Sequence, residues 1–188
     1  MAAGEGPPPL SSLSLLRAID RLSFALAVVA MAMLIGLTFA MVYEAVARYA
    51  FTAPTRLSYD VSYMLNGGLI LMAAAFTLSG NNHVRVDFLS ARLPVRTQHA
   101  VNLAFYGLLF LPALGACTWA AIAEAWHAAE TGQLEPVSPW RPKIWPFYTA
   151  VAVGLLGLWL QTLAEALRHA VGIARPAAVR PPTQSVPH

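Results

Sequence analysis

The chain has 188 residues, 57% of them hydrophobic and only 11% charged, with a mean hydropathy of +0.57. That balance excludes an ordinary soluble domain and requires lipid as the solvent. Twelve Lys and Arg against nine Asp and Glu leave a formal net charge of +3, but these charges fall between apolar blocks and form no basic stripe, which excludes nucleic acid as a partner.

Residues 1–21 form an N-terminal segment whose Gly4 to Pro9 stretch is too rich in Pro and Gly to bury a core, so it is expected to be disordered and cytoplasmic. The first uncharged block, Leu22 to Tyr43, has 22 residues and as a helix reaches about 33 Å, enough to cross a hydrocarbon core of about 30 Å. Arg17 and Arg21 precede it and Ala45-Val46-Ala47 resembles a cleavage site. A signal core is only about 7–15 residues long, however, so the block reads as an uncleaved first span. Glu44, Arg48 and Tyr49 close it, and Glu44 and Arg48, four apart, share one helix face. That pair is either an ordinary interfacial ion pair or a contact to a partner, and Arg56 and Asp60 repeat the spacing after Pro54. Together the four charges are expected to staple the first hairpin.

The second block, Val61 to Asn82, carries Asn66, Gly67 and Gly68, where small side chains permit close helix approach and the amide can bond a neighbour. After it, His83-Val84-Arg85-Val86-Asp87-Phe88-Leu89 continues to Arg92, Leu93 and Pro94. Phe88, Leu89 and Leu93 share one face, so a short amphipathic segment is expected along the interface, with its arginines on anionic membrane lipids. A contact to another subunit is the alternative.

The third block, Ala100 to Ala123, contains Cys117, which as the single cysteine permits no intrachain disulfide, and Pro112, which is expected to kink the helix and free carbonyls. The loop to residue 143 holds Trp126, Glu130, Glu135, Pro136, Pro139, Trp140, Arg141, Pro142 and Lys143. Tryptophans at a water boundary form a belt, while prolines stiffen a mixed-charge surface able to receive a soluble protein. The fourth block is Ile144 to Ala164, and residues 171–188 form a polar, Pro-rich tail expected to be disordered.

The expected fold is therefore an all-α integral membrane protein: four transmembrane helices within residues 22–170, spanning about 22–43, 61–82, 100–123 and 144–164, with a short interfacial amphipathic segment between the second and third. Lys and Arg near the span ends number eight on the terminal side (Arg17, Arg21, Arg85, Arg92, Arg96, Arg168, Arg175, Arg180) and four opposite (Arg48, Arg56, Arg141, Lys143). By the positive-inside rule both termini are cytoplasmic.

No block holds an ionisable group at its midplane, where transporters and pumps place them. All five histidines, His83, His99, His127, His169 and His188, fall at or beyond the block ends, which removes support for a haem bundle. There is no phosphate loop, metal-ligand cluster or nucleophile motif, so neither an enzyme nor a cofactor is expected.

Nearly the whole chain resembles the small membrane subunit of tripartite ATP-independent periplasmic (TRAP) transporters, the DctQ-like family. The residues that carry the likeness are Glu44-Ala45-Val46-Ala47-Arg48-Tyr49 with Phe51 and Pro54, Asp60 opening the second span, Gly80-Asn81-Asn82-His83-Val84-Arg85-Val86-Asp87, and Leu93-Pro94. Position 60 departs from the family pattern, in which Glu is commoner. The resemblance implies a bacterial inner-membrane, multi-pass scaffold beside a large TRAP permease subunit that carries the substrate and sodium sites. It further implies a periplasmic substrate-binding protein as partner and sodium-gradient-driven import of an organic acid. The competing reading is a self-sufficient oligomeric carrier or channel, with Asn66, Thr77, Ser79 and Gln161 able to line a pore.

Overall fold

A computed structural model describes residues 14–53, 55, 57–79, 95–136 and 140–174. The expected amphipathic segment at 83–94 and both tails lie outside the described residues. Within them the chain is helical, and the extended backbone is confined to one isolated antiparallel bridge between Leu134 and Lys143.

Lipid supplies no partner for free peptide groups, so apolar runs of this length satisfy their backbone internally as helices. Helix α1 runs Ser14–Ala50, α2 Leu57–Ser79, α3 Val95–Ala104 and α4 Leu111–Thr131, and α5 Trp145–Ala174. A π-helical stretch, Phe105–Phe110, joins α3 to α4 without a break, so these form one third span. Four helices are long and apolar enough to cross a membrane.

The helices outrun the uncharged blocks. At 37 residues α1 is about 55 Å long, which makes Arg17, Asp20 and Arg21 at one end and Glu44 and Arg48 at the other part of the same helix. Helix α5 likewise continues past Ala164 through Glu165, Arg168 and His169.

The π-helical stretch has a local cause. Pro112 has no N–H to offer and its ring crowds the carbonyl one turn before it, so the preceding turn widens. The Leu111 N–H bonds back to the Tyr106 carbonyl, five residues earlier. The indole N–H of Trp159 on α5 donates to the Leu111 carbonyl at 3.1 Å, which ties the third span to α5 beside this stretch. The span ends where Gly132 adopts a left-handed φ of 62°, which a glycine accepts without steric cost.

Helix α5 is the hub. It packs on α1, α2, α3, the π-helical stretch and α4, whereas α1 pairs with α2, and the third span packs chiefly on α5. Leu26, Ala30, Met72 and Ala75 form the main core, flanked by Met33, Leu69, Ala73, Ala150 and Leu158. A second cluster, Leu16, Ile19 and Ala164 with Leu160 beside it, lies at the end of the bundle where the described chain begins and finishes.

Small residues set the closest approach. A Cβ on Gly154 would lie 2.9 Å from the Leu71 carbonyl carbon and 3.0 Å from the Met72 nitrogen, so the α2 and α5 backbones meet there. Gly67 makes room for the Phe147 ring in the same way. Away from these contacts Phe24, Met31, Ile35 and Phe39 on α1, and Leu108 and Trp119 on the third span, face outward. An outward apolar surface is the stable arrangement for a protein dissolved in lipid.

Candidate functional site

The polar side chains gather in two layers, one at each end of the bundle. At the end holding the α1–α2 turn, Glu44 is buried. Its Oε1 accepts from Arg48 Nε at 3.2 Å and Nη2 at 2.7 Å, the one-turn pairing that the spacing implies. Its Oε2 accepts from the Thr55 backbone N–H at 3.1 Å and from the Thr55 hydroxyl. The hairpin is thereby closed through Thr55, a residue that charge spacing does not single out.

Of the other residues expected here, Tyr49 is 85% exposed, next to Arg48 in sequence, while Asp60 is buried at the start of α2. Arg56, His83, Arg85, Asp87 and Arg92 lie outside the described residues.

On the same end, the connection from the third span to α5 is a small closed loop. The Glu135 N–H donates to the Pro142 carbonyl at 2.9 Å and the Ile144 N–H to the Gln133 carbonyl at 3.1 Å, on either side of the Leu134–Lys143 bridge. Arg141 sits at a left-handed φ of 49°, unusual for a residue with a side chain. Trp140, Arg141 and Lys143 are all exposed on this loop, so the structure brings these three expected residues together on one surface. The Trp126 indole donates to Glu130 at 2.8 Å beside it.

The opposite layer joins α1 to α5. The Ser23 hydroxyl donates to Gln161 Oε1 at 2.9 Å, and Gln161 Nε2 donates to Asp20 Oδ1 at 3.2 Å. Arg168 Nη2 meets both Asp20 oxygens at 2.8 and 2.7 Å, and its Nη1 donates to the buried Glu165. One residue further, the His169 ring stacks on Tyr106 of the π-helical stretch with centroids 5.6 Å apart. Asp20 is not marked as a site residue by the sequence, because its partners lie on the last span, whereas Glu165 and Arg168 are one helical turn apart and their spacing alone could have paired them. The only signal at Asp20 is that it is a lone acid within a turn or so of an arginine at a block edge.

Chemically, both layers hold helices in place. Carboxylates there are matched to guanidinium, amide or hydroxyl donors, and no group of described residues could hold a metal ion. Between the layers, hydroxyls turn back on their own helices: Thr38 to the Leu34 carbonyl, Thr77 to Ala73, Thr118 to Leu114 and Thr162 to Leu158.

The sequence matches, over residues 37–172, the family model described as Tripartite ATP-independent periplasmic transporters, DctQ component. No curated protein matches the chain.

Proposed function

The chain belongs to the DctQ component family of tripartite ATP-independent periplasmic transporters, as a small membrane subunit, and we propose that it is the fixed scaffold on which a large permease subunit works. In this reading the large subunit carries the substrate and sodium sites, a periplasmic binding protein delivers an organic acid, and the sodium gradient drives its import. Both termini are cytoplasmic in the inner membrane, on the excess of Lys and Arg at that side.

The observation that carries the proposal is the family match over residues 37–172, which takes in the C-terminal part of α1, all of α2 and the third span, and nearly all of α5. The packing supports it. A scaffold needs helices locked to each other and broad apolar faces for lipid and partner, and the α5 hub with outward faces on α1 and the third span supplies both.

The self-sufficient channel finds less support. Of the side chains offered as pore lining, Thr77 and Ser79 bond carbonyls of their own helix, and Gln161 is fully buried between Ser23 and Asp20.

Reconstituted vesicles test the reading. Uptake of a labelled organic acid, driven by an inward sodium gradient in the presence of the large subunit and the binding protein, is expected only when this chain is included. Uptake by vesicles holding this chain alone would instead support the channel.

A further inference from the structure

Among the described residues the largest fully buried side chains are Gln161, Thr162 and Ser23, all polar, in a chain whose composition is overwhelmingly apolar. Two of them belong to the Ser23–Gln161–Asp20–Arg168–Glu165 series that joins α1 to α5.

Apolar contacts alone define this junction poorly. Lipid is as apolar as leucine, so no hydrophobic force selects one rotation or axial offset between two helices over another. Hydrogen bonds are directional and do select. Here Gln161 receives from Ser23 and donates to Asp20, which lie on one face of α1 three residues apart. The guanidinium of Arg168 meets both oxygens of Asp20 while its other nitrogen meets Glu165. Turning or sliding α1 against α5 by one residue breaks the series at several points together. Asp20 also carries a charge into the first span, and its cation lies 148 positions later in the last one. Its pairing therefore needs the last span in place beside the first.

We propose that this series is a register clasp that fixes α1 against α5, with Asp20 and Arg168 as positioning residues, so that the outward faces of α1 and of the α5-borne third span present one rigid surface. Its consequence for transport rests on the scaffold reading above.

The test is a double-mutant cycle on the full chain, alone in mild detergent and assembled with the large subunit. Asp20→Asn and Arg168→Gln each shift the folded-to-unfolded ratio of the lone chain by about three- to twenty-fold, the range of interhelical hydrogen bonds in membranes. The double variant is no worse than the more damaging single. Arg168→Lys recovers only part of the loss, because a point charge cannot serve two carboxylates as the planar fork does. Ser23→Ala, which removes only the far end of the series, gives a smaller shift in a chain that still folds. Uptake by the assembled complex falls in the same order.

Singles without effect, or a double whose loss is the sum of the two, overturn the clasp. Coupled unfolding with unchanged uptake overturns the positioning role. If the wild-type chain does not assemble with a large subunit, the scaffold reading fails, while the cycle in the lone chain still decides the clasp.

Discussion

Glu44 reaches across the turn between α1 and α2 to accept the backbone N–H of Thr55 at 3.1 Å, with the same carboxylate that holds Arg48 one helical turn on. A single buried acid therefore ties the helix end to the loop that follows it. Because its two oxygens serve different partners, Glu44 and Arg48 are not equivalent members of a pair.

It follows that Glu44→Ala lowers the unfolding temperature in detergent more than Arg48→Ala, since Arg48 is half solvent-exposed and has one partner here. Exchanging the two residues restores the charge pair but leaves both Thr55 donors facing an arginine, so the exchange does not rescue. Full rescue by exchange would show that the ion pair, and not Thr55, closes the hairpin.

Gly154→Ala places a methyl against the Leu71 and Met72 backbone, which cannot rotate aside. The expected loss is about 1–3 kcal/mol, typical of overpacking. Gly36→Ala is the control, because its new Cβ would meet only Leu65 Cδ1 at 3.9 Å. Denaturant titration of the two variants checks the contrast, and equal stability would remove the close α2–α5 approach from the account.

The span count is legible in the sequence because uncharged runs longer than a bilayer core admit few other interpretations. Glu44–Arg48 is legible for a similar reason, since helical spacing alone brings them together. The rest depends on which faces meet. Helices in lipid are apolar nearly all round, so no periodic stripe marks α5 as the hub or separates the buried Gln161 from an exposed polar residue. Asp20 and Arg168 are joined only by packing across the whole chain. Thr55 is an ordinary loop residue until the turn folds back on Glu44. Pro112 signals a disturbed helix, but nothing in the sequence points to Trp159 as the donor that ties Leu111 to α5.

That donor gives another prediction. Trp159→Phe keeps an aromatic ring beside Gly115 but loses the hydrogen bond to the Leu111 carbonyl. A loss of about 1 kcal/mol is expected, within the range for a single interhelical bond in lipid. Unfolding followed by circular dichroism measures it, and an unchanged midpoint would mean that this bond does not hold the third span to α5.

Charge reversal tests the closed loop. Arg141→Glu with Lys143→Glu alters two exposed cations on a surface braced by backbone hydrogen bonds, so insertion and helix content stay intact. Binding of the soluble periplasmic partner, read by surface plasmon resonance on reconstituted complex, is expected to weaken and to lose its dependence on salt. Unchanged binding would take this loop out of the docking surface.

Orientation is tested with reporter fusions. A reporter after His188 should be active only in the cytoplasm, and one inserted in the 137–139 stretch only outside, as the excess of Lys and Arg on the terminal side requires. The opposite pattern would place the closed loop and the Glu44 hairpin inside the cell, away from any periplasmic partner.

Whether the chain works as the accessory subunit of a larger transporter is decided by purifying the tagged full chain from its native membrane in mild detergent and identifying what accompanies it by mass spectrometry. A large polytopic membrane protein is expected in stoichiometric amount. Recovery of this chain alone, as a stable homo-oligomer, would contradict that role.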